Sequence, residues 1–268
     1  MKKKTILITG DDGYHSLGTR VLIHFLKNDF DLSIVCTKKQ QSGVGGYKSI
    51  QLSGTWGKEI VDGTQALWID GSPVDAMELA KEIFPHPFDY IISGINWGAN
   101  IGGCLLSSGT FSAAAHGVNL GIAKRAIAIS WDVPSTFHFQ NHSIEDDISK
   151  FIDYPGKVAH GVIEKTMSHA LWGADIVNIN LPQRPTKIVE VVKPLKNIYR
   201  LWPPMKVNKT TGSYSYGVRN RTSHLGSKDT DVQVLSRGHI SMSPCQSTYL
   251  DVKAYDKMVG PCDTDNHR

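Results

Sequence analysis

No apolar run in the sequence approaches the roughly 18 residues of a membrane-spanning helix, so no membrane partner is expected. The stretch after "MKKK" is only "ILI" before acids intervene, too short for a secretory signal. Four cysteines, Cys36, Cys104, Cys245 and Cys262, lie far apart and form no C-x-x-C pair. That spacing argues against a zinc site or a disulfide framework and suits a reduced, cytoplasmic protein. An excess of one charge is missing too: 29 Lys and Arg against 25 Asp and Glu leave a net charge of +4. No basic stretch extends beyond the opening lysines, so nucleic acid is not an expected partner. The first strand is not followed by the G-x-G-x-x-G of a dinucleotide site, which disfavours an NADP-dependent oxidoreductase.

What is present is the composition of an ordinary globular chain: 40% apolar and 20% charged over 268 residues. Lys4 to Thr9 reads as a short buried strand, and from Gly18 the residues Val21, Leu22, Phe25 and Leu26 fall on one helical stripe. Further strands are expected at 31–36, 66–71, 88–94, 125–130 and 175–182. "YKSIQLSG" and "KEIVDG" suggest a hairpin excursion between two of them. Ser72, Pro73 and Asp75 mark a helix start as N-cap, first helical residue and capping partner. Further helices are expected over "TFSAAAHGVNLG" and "KVAHGVIEKTMSHALWG", with His160 and His169 as buried members of the second, and "DVPSTFHFQNHSIEDD" reads as a polar surface loop.

Strands alternating with helices predict an α/β fold, a Rossmann-like, mostly parallel sheet flanked by helices. Residues 1–182 form the expected catalytic core. Residues 183–268 read as a C-terminal β-hairpin arm, with 228–252 returning to the core and a frayed end. In such sheets ligands bind beyond the carboxyl ends of the strands, so the polar loops at 10–16, 37–46 and 94–110 should meet on one rim.

"GDDGYHSLG" puts Asp11 and Asp12 at that rim. Two carboxylates about 4 Å apart repel by roughly 1 kcal/mol in water and about 4 at an effective dielectric of 20. A bound cation, or a proton kept on one of them, offsets this; singly, the two read as a turn residue and a helix N-cap. Ser42 in "QQSGVGG" and Asn96 and Asn100 in "SGINWGANIGG" add hydroxyl and amide oxygens, a hard-cation donor set. Ser108, Gly109 and Thr110 open a helix of small residues, where free N–H groups and two outward hydroxyls would cradle an anion. A cation site opposite an anion cradle suits a phosphoryl group. His15 is a nearby candidate general acid.

These stretches, with "DGSPVDA", "VNINLP" and "RGHISMSP", resemble the blocks of the SurE family, the stationary-phase survival protein E phosphatases, in the same order from about residue 4 to 252. The resemblance implies a metal-dependent 5′-nucleotidase that hydrolyses nucleoside 5′-monophosphates. It implies one divalent ion per subunit, Mg²⁺ or Mn²⁺, held by Asp11, Asp12, Ser42 and Asn96, with Asp11 and Asp12 also catalytic. Asn100, Ser108, Gly109 and Thr110 would line the phosphate pocket. A homodimer or homotetramer built through the C-terminal arm is also implied. The chain departs from the family pattern in four places: Gly10 before the acids, Gln41 at an arginine position, Ser72 for threonine and His116 for glutamate. Two other readings stand beside the enzyme. One is a phospho-acceptor module with Asp70 as acceptor; the other is a decayed member that only binds.

Overall fold

The computed structural model describes residues 3–134, 137, 140–195, 205–216 and 229–248. Its centre is a nine-stranded sheet in the order β3-β4-β2-β1-β5-β6-β7-β11-β8. The strands are β1 (Thr5–Thr9), β2 (Asp31–Thr37), β3 (Trp56–Val61), β4 (Thr64–Ile69), β5 (Tyr90–Trp97), β6 (Ala126–Trp131), β7 (Ile176–Leu181), β8 (Val189–Val191) and β11 (Ile240–Cys245). β4, β2, β1, β5, β6 and β7 run parallel, while β3 and β11 pair antiparallel with β4 and β7. The expected Rossmann-like α/β architecture is therefore present.

Alternation along the strands feeds two cores. Ile6 and Ile8 of β1 face α1 (Leu17–Leu26) and α5 (Lys157–Ser168), whereas Leu7 between them faces α2 (Pro73–Ile83) and α3 (Gly109–Asn119). Burying both faces is why the central strands read as unbroken apolar runs. α2 begins as its sequence predicts: the Ser72 hydroxyl accepts from the Asp75 N–H at 3.1 Å, and the Ser72 N–H donates to Asp75 Oδ2 at 2.8 Å.

Three local expectations are corrected. Residues 47–54 form turns, and β3 pairs with β4 itself. The reason is the two-residue turn Asp62–Gly63, both at positive φ (48° and 83°), which suits a tight hairpin and was hidden inside "KEIVDG". The helix expected over 157–173 stops at Ser168; Ala170, Leu171 and Trp172 take positive φ, which breaks the helix and leaves His169 exposed. The segment after Trp131 is not simply solvated, since α4 (Ser149–Phe151) and the residues before it close over the start of α1. There the Arg20 guanidinium donates to the Asp146 carbonyl at 2.6 Å.

Beyond β8, β9 (Lys206–Asn208) and β10 (Ser213–Ser215) form an exposed antiparallel hairpin. α6 (Asp231–Ser236) follows, and β11 then enters the main sheet between β7 and β8. The arm segments 196–204 and 217–228, together with the C-terminal end expected to fray, lie outside the described residues.

From β1 the chain moves outward to β2 on one side and later to β5 on the other, so strand order reverses between β1 and β5. That reversal opens the crevice where ligands of such sheets bind. β5 ends in an irregularity: its register against β6 shifts between Ser93 and Asn96. Gly94 (φ 132°) allows the shift, because a Cβ there would stand 2.2 Å from the Ile129 carbonyl oxygen. A bulge of this kind re-aims the residues after it, here Asn96 and Trp97.

Candidate active site

Asp11 and Asp12 leave β1 directly into this crevice. Asp12 Oδ2 accepts the Trp97 N–H at 3.0 Å, tying the acid loop to the re-aimed end of β5, and Oδ1 accepts from the Gln40 amide at 3.2 Å. Asp11 Oδ1 accepts the Thr110 hydroxyl at 2.5 Å, and its carbonyl accepts the Gln41 N–H at 2.7 Å. The Gly45 N–H donates to the Ser107 carbonyl at 3.0 Å. The three loops expected on one rim thus meet there. α1 starts at Ser16, whose hydroxyl accepts the Thr19 N–H at 3.2 Å, so Asp12 is not an N-cap.

The first turn of α3 sits against the acids. Gly109 makes that approach possible, because a Cβ on it would stand 2.8 Å from the Asp11 side chain. Ser108 is the N-cap, accepting the Phe111 N–H at 3.0 Å. Thr110, expected to turn its hydroxyl outward, is fully buried and spends it on Asp11 instead. Crowding from the close-set helix leaves that side chain no outward path.

Burial and the neighbouring Asp12 charge push the Asp11 carboxyl up to about 7, with Thr110 offsetting part of the shift. Burial also raises Asp12 against the pull of the Trp97 N–H, His142 and Gln40. Asn96, beside them, donates its amide to the Gly98 carbonyl at 2.6 Å, which leaves the amide oxygen outside that bond. Ser42 is exposed, one residue beyond the Gln41 tie. Among the described residues no group of three or more His, Cys, Asp or Glu gathers. Two carboxylates raised by burial, on a loop beside those that carry the Ser42 hydroxyl and the Asn96 amide oxygen, are a donor inventory that suits a hard divalent ion.

A family model described as Survival protein SurE matches residues 6–202. The chain belongs to the SurE family. Its relatives include the 5′-nucleotidase SurE of Methanopyrus kandleri, 31% identical over 246 residues, with 89% of this chain and 90% of that one covered. The 5′-nucleotidase SurE of Maridesulfovibrio salexigens is 30% identical and covers 93% of this chain and 95% of its own. A crystal structure of the SurE protein from Aquifex aeolicus has a TM-score of 0.72 at 23% identity, covering 96% of this chain and all (100%) of that one, which shows the shared fold.

Other side chains of this SurE chain have partners of their own or stand apart from the acid pair's hydrogen bonds. His15 Nε2 pairs with the His142 carbonyl at 2.9 Å, so the ring is turned to the 142 loop. Lys38 lies over the Trp68 ring at 4.2 Å, with its charge on that indole. Asp70 is exposed at the end of β4, two strands from β1. His116, at the family's glutamate position, bonds Glu78 at 2.7 Å, and Lys48 bonds the same carboxylate at 2.5 Å, pinning the loop that follows Ser42.

Three contributors were not read from the sequence as site residues. His142 packs edge-on to Trp97, ring centroids 4.7 Å apart, and its Nδ1 accepts the Leu17 N–H at 3.2 Å. It sits in a segment that reads as a solvated loop, and no sequence signal marks it. Asn178 and Asn180 are fully buried on β7 and grip Asn100. Their signal was visible: two asparagines at i and i+2 face one side of an otherwise apolar strand.

Proposed function

We propose that this SurE chain is a 5′-nucleotidase that hydrolyses nucleoside 5′-monophosphates to nucleoside and phosphate with one bound Mg²⁺ or Mn²⁺. The observation that carries the reading is the Thr110–Asp11 hydrogen bond of 2.5 Å, which seats an anion-binding helix start against an acid pair at the switch point. The names of the relatives, 5′-nucleotidase SurE, support it.

Asp11, Asp12, Ser42 and Asn96 would hold the ion, which when bound would polarise the phosphoryl oxygens and activate a water. The first N–H groups of α3, at Gly109 and Thr110, point along the positive end of its dipole and bind the phosphoryl oxygens. The Ser108 hydroxyl and the Asn100 side chain add donors that strengthen as charge spreads over the equatorial oxygens. A carboxylate oxygen of Asp11 or Asp12 accepts the proton of the attacking water. Thr110, buried behind them, orients Asp11 through its hydroxyl.

The test is phosphate release from AMP, GMP, CMP and UMP with added Mg²⁺ or Mn²⁺, repeated in EDTA and with Asp11→Asn. Metal-dependent turnover that collapses in the variant supports the reading. Silence from folded, metal-loaded protein overturns it in favour of a binding role, and turnover that survives both EDTA and the substitution means the site lies elsewhere.

A further inference from the structure

Asn100 is held by side chains that the activity alone does not explain. Its N–H donates to Asn180 Oδ1 at 2.8 Å, and its carbonyl accepts from Asn180 Nδ2 at 3.0 Å. A carboxamide that accepts from the N–H and donates to the C=O of one residue imitates a neighbouring strand. The same carbonyl accepts a second bond, from Asn178 Nδ2 at 2.9 Å. The Asn100 amide itself donates to Ser130 Oγ on β6 at 3.0 Å. Asn178, Asn180 and Ser130 are fully buried, on adjacent strands where Ser130 stands in register with Asn180.

Burying two primary amides in a central strand carries a desolvation cost that apolar residues of the same size avoid. Asn178 makes that cost plain, since its Oδ1 is buried and unpartnered while its Nδ2 serves Asn100. A sheet selected for stability alone would place leucine there. The backbone at Asn100 has left β5 behind at Trp97 and lacks a strand partner of its own, so the two amides take that place. We propose that Asn178 and Asn180 are positioning residues that hold the Asn100 peptide, and through it the Asn100 side chain, in register for a phosphoryl group. This rests on the reading of Asn100 as a phosphate-site residue.

The experiment uses the full chain with Mg²⁺ and three variants besides wild type: Asn180→Leu, Asn178→Leu and Ser243→Ala. Ser243 faces Asn178 across the β7–β11 pair and is buried, but it makes no bond to Asn100, so it controls for disturbance of that core. Two quantities are read: the KM–kcat pair for AMP, and the affinity for inorganic phosphate by calorimetry. We expect Asn180→Leu to raise KM and weaken phosphate about tenfold, Asn178→Leu about threefold, and Ser243→Ala to change neither. If Asn180→Leu does not fold, Asn178→Leu carries the test, because it removes an orphaned oxygen along with the donor.

A double-mutant cycle with Asn100→Ala separates positioning from plain stability. In the Asn100→Ala background, Asn178→Leu should add little further loss of phosphate affinity. Full additivity overturns the proposal. So does a lower kcat with KM and phosphate affinity unchanged, which reports only a smaller folded fraction. If wild type binds phosphate but releases none from AMP, the nucleotidase reading fails, while the calorimetric arms still decide this one. If wild type binds no phosphate, Asn100 is not a phosphate-site residue and the inference falls with it.

Discussion

Two buried carboxylates in this molecule have opposite surroundings. Asp231, at the start of α6, is fully buried and accepts N–H groups from Gly102 at 2.7 Å, Leu195 at 3.0 Å and Val232 at 2.8 Å. Burial raises its pKa, and those three donors oppose the rise. Asp11 is almost as buried, at 4% exposure, but beside its donors, the Thr110 hydroxyl and the Asp11 and Thr110 N–H groups, it has a second carboxylate as neighbour. A carboxylate surrounded by N–H donors needs nothing more and works as a structural clamp, here between α6 and the loop that carries Asn100. One set against a like charge is left with an unmet demand for positive charge. That difference separates a carboxylate kept for folding from one kept for chemistry.

The comparison breaks most readily at Asp11. Asp11→Asn should lower phosphate release about a thousandfold or more, roughly 4 kcal/mol of lost transition-state stabilisation. The same change should raise the melting temperature of the metal-free protein, because it removes the repulsion and keeps an acceptor for Thr110. A lower melting temperature in differential scanning fluorimetry would make Asp11 a structural acid like Asp231. Asp231→Ala should do the reverse, costing about 3 kcal/mol in urea unfolding by orphaning three buried N–H groups. Its first symptom should be faster amide exchange at Gly102, which loses its acceptor.

Smaller effects sharpen the picture. Gly109→Ala pushes a methyl into Asp11 and should cost about 1–3 kcal/mol, with activity falling as the acid pair and α3 are pried apart. A thermal melt combined with phosphate release separates those two losses. Asp75→Asn should cost about 1 kcal/mol, the scale of a capping interaction. Burial pushes the Asp75 carboxyl up, but hydrogen bonds from Ser49 and Ser72 outweigh it and hold it below the usual carboxylate range. A carboxyl lowered on folding stabilises above its unfolded pKa, near 3.8, and that contribution fades as pH falls through the lower folded value. The gap between Asp75→Asn and wild type in chemical unfolding should therefore hold at neutral pH and begin to narrow below about pH 4.

Much of the fold was legible because its signals are local. β1, β2, β6 and β7 are short apolar runs bounded by turn residues, and Ser72–Pro73–Asp75 writes a helix start in three positions. The partner of β3 was misassigned because a two-residue turn with two positive φ angles sits inside what looks like one strand and its exit. The end of α5 was missed for a related reason: nothing in "HALWG" requires the left-handed turn that tertiary packing imposes. At the site, the loops that meet were legible from their positions at strand ends. The direction of the Thr110 hydroxyl was not, since it depends on how closely α3 packs on Asp11.

The sequence by itself determined an alternating α/β chain, its family and the chemical inventory of the site, because residue types and their spacing record backbone preference and donor chemistry directly. Only the tertiary structure decided which inventory members touch. It set Asp12 on the Trp97 N–H, Thr110 behind Asp11, His15 on the His142 carbonyl and Asn180 on Asn100. Those contacts join residues 80 to 127 positions apart, and 80 to 99 at the acid pair and Asn100. At such separations side-chain direction follows from sheet order, bulge and helix approach, which no local pattern encodes.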